Sequence, residues 1–485
     1  MSLKTPGNFN KLAILTLAFA ALAVAGCGSS SLVSSTQSTS GPTGSAFVVG
    51  TDAPLASVVS FATTVTVTAT PVGGGTAVPV TSGAQSVDFA RYNGLQTLLD
   101  ETDIKAGSYQ SITITLGTGT IGYLNVPASG APTIQTEAAV YAAASNPVTI
   151  TLPSPFIVPT SGAPAGLRID FDLAKSITVD STGAITGAVT PTFDVSTVKN
   201  TDSTAHIDEQ VGAVVSLPKT TTEPSSFMIE GPHGENFTVN TTSSTEWDGG
   251  ASLGSLNANS VVAVAGSLDV ADQTLNADEV ALITDSHFYA RGLITYVAPS
   301  SGQAKNMDFY VRAVVPSSNP DVPLGGIAQV NITGNENYGI YWMHNAFTQL
   351  LFNSYAMTPG QEIAVGGTDA EATPTSGTAI TVNRIHLQNW GYNGTIVPKS
   401  QSSSAGSFTM TITGFAGTVV SSNVTVFLGP ACDFRYGFGA FNDLTDSTKV
   451  RVVGLLLKNP TNGQLVLLAR HVDGIDFTDF ATAAF

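Results

Sequence analysis

Cysteine and charge are the two features that this sequence has least of. Its 485 residues include two cysteines, and only 11% are Asp, Glu, Lys or Arg. Two cysteines are too few for a disulfide framework, so we expect the fold to be stabilised by packed cores. Basic residues are fewer than acidic ones: the chain has 18 Lys and Arg and 35 Asp and Glu, which gives a formal net charge of −17. Nucleic-acid backbones reward clustered Lys and Arg, so we expect no nucleic-acid partner.

Long apolar runs are also rare, and the one that stands out, residues 12–24, is interrupted only by the hydroxyl of Thr16. It follows two lysines, is too short for a comfortable membrane span and ends in small residues, as a secretory signal peptide does. Its end, Val24-Ala25-Gly26-Cys27, resembles the lipobox of bacterial lipoproteins. That resemblance implies cleavage after residue 26, diacylglycerol on the Cys27 thiol and a fatty acyl group, such as palmitate, on the new N-terminus. The alternative is an ordinary signal peptide with an incidental cysteine.

Residues 27–45 follow the signal peptide as a tether. From position 28 onward, 14 of its 18 residues are Ser, Thr or Gly, a composition that cannot bury a core. In the lipoproteins that the chain resembles, Gly28 rather than Asp after the cysteine implies sorting to the outer membrane. We therefore expect a lipid-anchored protein of the bacterial cell envelope. With Cys27 lipidated, Cys432 is expected to be a small buried side chain rather than a nucleophile.

The sequence is rich in glycine (48) and proline (25), and Val and Thr are abundant, which favours short strands joined by turns. Residues 46–200 show period-two alternation in several segments, such as 65–68 and 111–116, and predict a β-sandwich. An alanine-rich segment, residues 136–144, would suit a helix.

The same region resembles an uncharacterised domain family that follows the tether in many bacterial lipoproteins. The segments that carry the resemblance are Asp52-Ala53-Pro54, Val87-Asp88-Phe89, Leu98-Leu99, residues 104–109 and Ile169-Asp170-Phe171-Asp172. The resemblance implies a prealbumin-like or immunoglobulin-like sandwich and brings no catalytic residues with it.

The rest of the chain contains a degenerate repeat of five strands in three copies, over residues 206–284, 285–386 and 387–476, before a tail at 477–485. In each copy the first and fourth strands carry glycine, where a small closed barrel must bend. The copies are similar to an uncharacterised OB-like barrel repeat of bacterial envelope proteins. The second copy carries an insertion, residues 334–358. The predicted fold is all-β: an N-terminal β-sandwich followed by three small OB-like β-barrels.

Few residues carry a signal for chemistry. The six histidines lack the spacing of a metal site, so we expect no metal and no other cofactor. Asp170 and Asp172 lie two apart on a strand, where both side chains share a face. They would suit a calcium site or a catalytic acid pair. The structural alternative is that they lie on a solvated face or make turn contacts. No catalytic residue is predicted.

Aromatic side chains in the loops of the second and third repeats, and at the junction between these two repeats, are candidates for stacking on sugars. They are Tyr341, Trp342, Trp390, Tyr392 and Tyr436. The alternative, which we favour, is that residues 346–357 form a short amphipathic helix that plugs the second barrel.

Together these observations predict a lipid-anchored, non-catalytic protein with a binding, adhesion or scaffold role. Its expected partners are the membrane, through the lipid, and a neutral glycan or another envelope protein. The competing hypothesis is a secreted polysaccharide-active hydrolase that uses acidic residues.

Overall fold

The computed structural model describes residues 41–474, except 54–57, 93–96, 126, 128–129, 163, 181–183, 200–205, 219, 232–235, 249–251, 259, 270–273, 285–287, 316–321, 323, 341–349, 368–378, 404–405, 413–422 and 436–437. The predicted all-β class is confirmed: the described residues form sheets, with one short helix, α1 (Leu173–Ser176), and 3-10 turns at Phe89–Tyr92 and Phe441–Asp443.

The N-terminal lobe contains thirteen strands: β1 (Thr43–Ala53), β2 (Val58–Pro71), β3 (Val78–Pro79), β4 (Gln85–Asp88), β5 (Thr97–Lys105), β6 (Gly107–Leu116), β7 (Gly119–Asn125), β8 (Thr133–Tyr141), β9 (Val148–Val158), β10 (Ala165–Asp172), β11 (Ile177–Val179), β12 (Ile185–Val189) and β13 (Phe193–Lys199). One sheet has the order β13-β10-β1-β5. The other has the order β11-β12-β8-β7-β2-β6-β9, with β3 and β4 also paired to β2.

The core of this lobe follows from strict alternation. On β2 the side chains of Val65, Val67 and Ala69 are buried, and the threonines between them face outward. Phe171 of the first sheet contacts Phe61 of the second, with ring centroids 5.0 Å apart in an edge-on geometry. Aromatic pairs of this kind add about 0.5–1.5 kcal/mol beyond their area burial, so they help to hold the two layers together.

The helix predicted over residues 136–144 is wrong. Residues 133–141 form β8, which pairs with β7 from Asn125 opposite Thr133 to Gly119 opposite Ala139. Alanine favours helix only weakly, and the pairing partner supplied by β7 outweighs that preference.

The first repeat contains β14 (His206–Ser216), β15 (Ser225–Glu230), β16 (Asn236–Thr241), β17 (Glu246–Asp248), β18 (Val261–Asp269) and β19 (Thr274–Thr284). Five of these strands close into a barrel because β16 pairs in parallel with β19. The closure depends on a bulge between Ala265 and Gly266. A Cβ at Gly266 would lie 2.0 Å from the carbonyl oxygen of Asn276, so only glycine allows this approach.

The second repeat contains β20 (Phe288–Ala298), β21 (Asn306–Val315), β22 (Ile327–Asn331), β23 (Asn337–Ile340), β24 (Glu362–Gly367), β25 (Ile380–Thr381) and β26 (Arg384–Gln388). They form a seven-stranded sheet in the order β23-β26-β24-β20-β21-β22-β25. The predicted fifth strand is therefore divided into β25 and β26, and only β25 pairs in parallel with β22. β23 belongs to the predicted insertion.

The third repeat contains β27 (Trp390–Ile396), β28 (Ser407–Ile412), β29 (Asn423–Arg435), β30 (Lys449–Lys458) and β31 (Leu465–Asp473), which form a closed barrel. Its register shifts between Val453 and Gly454. A Cβ at Gly454 would lie 2.1 Å from the Leu468 carbonyl oxygen, as at the equivalent glycine of the first repeat. The glycine that ends the fourth predicted strand thus has the same physical role in both closed barrels.

Apolar contacts join the repeats to one another and to the N-terminal lobe. Phe47 and Val49 of β1 belong to the same buried cluster as the core of the first repeat. Leu455 and Leu457 of β30 belong to the core of the second repeat. The described residues between 41 and 474 belong to one compact unit, so the domain boundaries given above remain predictions.

Candidate functional site

Two of the predicted stacking residues, Trp390 and Tyr392, are buried. Their exposed fractions are 2% and 0%. The Tyr392 hydroxyl donates a hydrogen bond to the Gly360 carbonyl oxygen, at 3.1 Å. Burial, and then the Glu362 carboxylate, raise the pKa of Tyr392 above its usual value. Neither ring has an open face for a sugar, so the stacking prediction is wrong for these two residues: the second and third repeats enclose both rings. Tyr341, Trp342, Tyr436 and Cys27 lie outside the described residues.

The predicted plug is present in part, but not as a helix. Its described residues, 350–357, form a turn. The side chains of Phe352, Ala356 and Met357 are buried, and Phe352 contacts Tyr338 edge-on at 6.1 Å. Leu351 and Tyr355 are 71% and 50% exposed on the same turn. The segment therefore fills the second repeat with one set of side chains and presents the other to solvent.

Asp170 and Asp172 are both buried, so neither lies on a solvated face. Asp172 caps α1: its Oδ1 accepts a hydrogen bond from the Lys175 amide at 2.9 Å, and its Oδ2 lies 3.1 Å from Lys175 Nζ. Burial raises the pKa of Asp170, opposed by the charges of Arg451 and Arg168. The two carboxyl groups act on each other electrostatically, but both are buried and they do not form an open site.

Arg312 of β21 was not singled out in the sequence, yet its guanidinium contacts three parts of the fold. The side chain is 5% exposed. Its Nη1 donates to the Ala90 carbonyl oxygen of the N-terminal lobe at 3.0 Å. Its Cζ lies 4.2 Å from the centroid of the Trp390 ring in the third repeat. Within the second repeat, its Nε is 3.5 Å from Glu362 Oε2.

Glu362 also receives a second guanidinium. Arg291 Nε donates to Glu362 Oε1 at 3.1 Å, and Arg291 Nη2 donates to the Asn389 carbonyl oxygen at 3.0 Å. Glu362 itself is fully buried. We call Arg291, Arg312, Glu362 and Trp390 the arginine junction. Buried charges persist only when they are paired and hydrogen-bonded, and here the partners come from three lobes.

A second polar contact faces the N-terminal lobe from the third repeat. Arg451 of β30 donates from Nε to Asn393 Oδ1 at 3.2 Å, and its charge acts on Asp170 of β10. Nearby on the sheet, His471 Nε2 lies 3.6 Å from Asp473 Oδ2, and Asp473 is the cross-strand partner of Arg451.

Comparison with known proteins gives a family match in the N-terminal lobe. Residues 43–186 match the family described as "Domain of unknown function (DUF4382)". The chain therefore contains a DUF4382 domain. This agrees with the predicted resemblance to an uncharacterised domain family. No match was found among curated proteins.

A solved structure, drosophila Unr CSD456, is 11% identical to this chain, and the match covers 56% of this chain and 98% of that chain with a TM-score of 0.13. We infer no fold from a likeness at that score.

Among the described residues, no group of three His, Cys, Asp or Glu side chains is placed to share a metal ion, and no helix is long and apolar enough to cross a bilayer.

Proposed function

We propose that this protein is a lipid-anchored scaffold of the cell envelope, in which the DUF4382 domain and the three repeats form one rigid unit. The observation that carries the proposal is the arginine junction. It places one buried guanidinium against the N-terminal lobe, the second repeat and the third repeat at once. A junction of this kind fixes the relative positions of lobes, which is what a scaffold needs.

The interiors of the lobes support the same proposal. The N-terminal lobe and the third repeat each contain their own cluster of buried apolar residues, and that of the second repeat includes Phe352 and Met357 of the plug. Partner contacts would then use outer surfaces, such as the exposed Leu351 and Tyr355. A neutral glycan or another envelope protein is the partner that we propose for a chain of net charge −17.

The lipid anchor is tested at Cys27. We expect Cys27→Ser to release the chain from the membrane fraction or to leave it unprocessed. The measurement is membrane fractionation together with the mass of the N-terminal peptide. Cys432→Ser removes a thiol at the other end of the chain and should leave both anchoring and processing unchanged. A Cys27→Ser chain that is still acylated and cleaved after residue 26 would refute the anchor.

A further inference from the structure

Four neighbouring strands of the N-terminal lobe contain no charged residue. The four strands β2, β6, β7 and β9 contain 42 residues and no Asp, Glu, Lys or Arg. The whole chain has 53 such residues and a net charge of −17. Two copies of so acidic a protein repel each other, so an uncharged face is where close approach costs least.

The outer side of three of these strands is an array of hydroxyl groups, which we call the hydroxyl face. The buried residues between them, such as Val67 and Ile114, point to the core. The exposed and half-buried members of the face are Thr66, Thr68 and Thr70 of β2, Thr113 and Thr115 of β6, and Thr149 and Thr151 of β9; Ser111 of β6 lies in the same array but is buried.

The hydroxyl groups form rows across the strands. Thr113 is the cross-strand partner of both Thr68 and Thr149, and the hydroxyl oxygens of Thr113 and Thr149 lie 2.9 Å apart. In a second row, Ser111 is the partner of both Thr70 and Thr151. Threonine pairs across strands stabilise a sheet by roughly 0.2–1 kcal/mol each.

The rows end at an open edge. β9 is the last strand of its sheet, and among the described residues it pairs only with β6. Its second half contains Pro153 and Pro155, which lack the amide hydrogen that strand pairing needs. Its first half, residues 148–152, contains no proline, and Thr149 and Thr151 are exposed there. This half can accept another strand.

We propose that residues 148–152 pair antiparallel with the same residues of a second copy, about a two-fold axis at Ile150. In that register, Thr149 of one copy lies opposite Thr151 of the other, so each row of the hydroxyl face continues across the interface. Residues 148–152 of one copy pair with the same residues of the other copy, as the isologous contact of a two-fold dimer requires. A partner strand from a different protein would not need this self-match.

The contact is weak in solution. A pair of five-residue strands buries far less than the ~1,200–2,000 Å² of a standard stable interface. Copies held on one membrane are concentrated by their attachment, which favours a weak contact. The dimer itself does not require the lipid, and it is measured separately from anchoring.

The test is sedimentation equilibrium of the full chain in a density-matched detergent, at about 5–200 μM and at two salt concentrations. We expect a monomer–dimer equilibrium that strengthens at high salt, because salt screens the repulsion between two acidic copies. Thr151→Lys places an ammonium at the edge, a device by which natural sheets block strand addition, and should weaken the dimer at least about tenfold. Thr149→Lys tests the opposite side of the two-fold axis, in case the first variant does not fold.

The matched control is Thr115→Lys. Thr115 is exposed on the same face but lies on β6, one strand in from the edge, with β2 and β9 on either side. The charge change is the same, so the control should dimerise as the wild type does. A wild-type chain that is monomeric throughout the range would overturn the proposal. So would a dimer that tolerates both edge lysines, or one that Thr115→Lys weakens equally.

Discussion

His386 of β26 is a histidine whose titration is changed by its surroundings. Its ring packs against Gly339 of β23, where a Cβ would lie 2.8 Å from His386 Cε1. Burial, and then the charge of Arg384, lower the pKa of His386 to about 4. The imidazole is therefore neutral in the folded protein at pH 7.

This gives a pH dependence with a definite sign. The folded pKa lies below the usual value of 6.5, so the unfolded chain binds more protons between about pH 4 and 6.5. Stability should fall as pH falls through this window. Relative to His386→Gln, the wild type should lose on the order of 2–3 kcal/mol more between pH 7 and pH 4. Urea unfolding at several pH values measures this, and parallel curves for the two proteins would contradict it.

Some side-chain contacts could not be predicted from the sequence, because the residues involved are far apart in the chain. Arg291 and Glu362 are 71 residues apart, and Arg312 and Ala90 are 222 apart. Nothing local marks these pairs, because the first joins two strands of the second repeat and the second forms only when the second repeat meets the N-terminal lobe. Trp390 shows a second limit of the sequence. An aromatic residue at a predicted junction between repeats fits both a ligand-stacking role and a buried role, and the packing of the repeats determines which one it has.

At the scale of elements, strands were predictable and helices were not. All five predicted strands occur in each repeat, as β14, β15, β16, β18 and β19 in the first. The alternation of apolar and polar residues and the glycine at each bulge are local signals with a direct physical cause. They therefore predict the strands correctly. The two predicted helices, over 136–144 and 346–357, rested on composition and spacing alone. Tertiary pairing made the first a strand, and the described part of the second, 350–357, is a turn.

The turn at 350–357 offers a prediction for the plug. Phe352→Ala removes a buried ring that packs in the core of the second repeat, and should cost about 3–5 kcal/mol of unfolding free energy. Tyr355→Ala, on the exposed side of the same turn, should change it by no more than about 0.5 kcal/mol. Urea titrations measure both. Equal costs for the two variants would show that the turn does not divide into a buried and an exposed side.

At the scale of the whole molecule, the arginine junction predicts cooperativity. Arg312→Met removes one of the two guanidinium groups that face Glu362, together with the contacts to Ala90 and Trp390. We expect a loss of about 3 kcal/mol, as for other broken buried pairs, and a broader unfolding transition as the lobes separate. Arg312→Lys should recover only part, because lysine lacks the planar guanidinium.

The control for this variant is Lys305→Met. Lys305 is exposed just before β21, and its Nζ donates to Gln303 at 3.0 Å. Removing that charge should change the unfolding free energy by about 0.5 kcal/mol or less. Guanidinium titration followed by circular dichroism gives both the free energy and the width of the transition. If Arg312→Met unfolds as sharply as the wild type, the guanidinium does not couple the lobes.

The pairing of β1 with β10 has a consequence for how the chain is made. Ala46 pairs with Ala165, 119 residues further along. At ~5–20 residues per second, synthesis of that interval takes roughly 6–24 s. Throughout it, the side of β1 that will receive β10 is an unprotected strand edge, which is a template for aggregation. A chain held unfolded until it is complete avoids this exposure, so delivery across a membrane before folding would suit this topology.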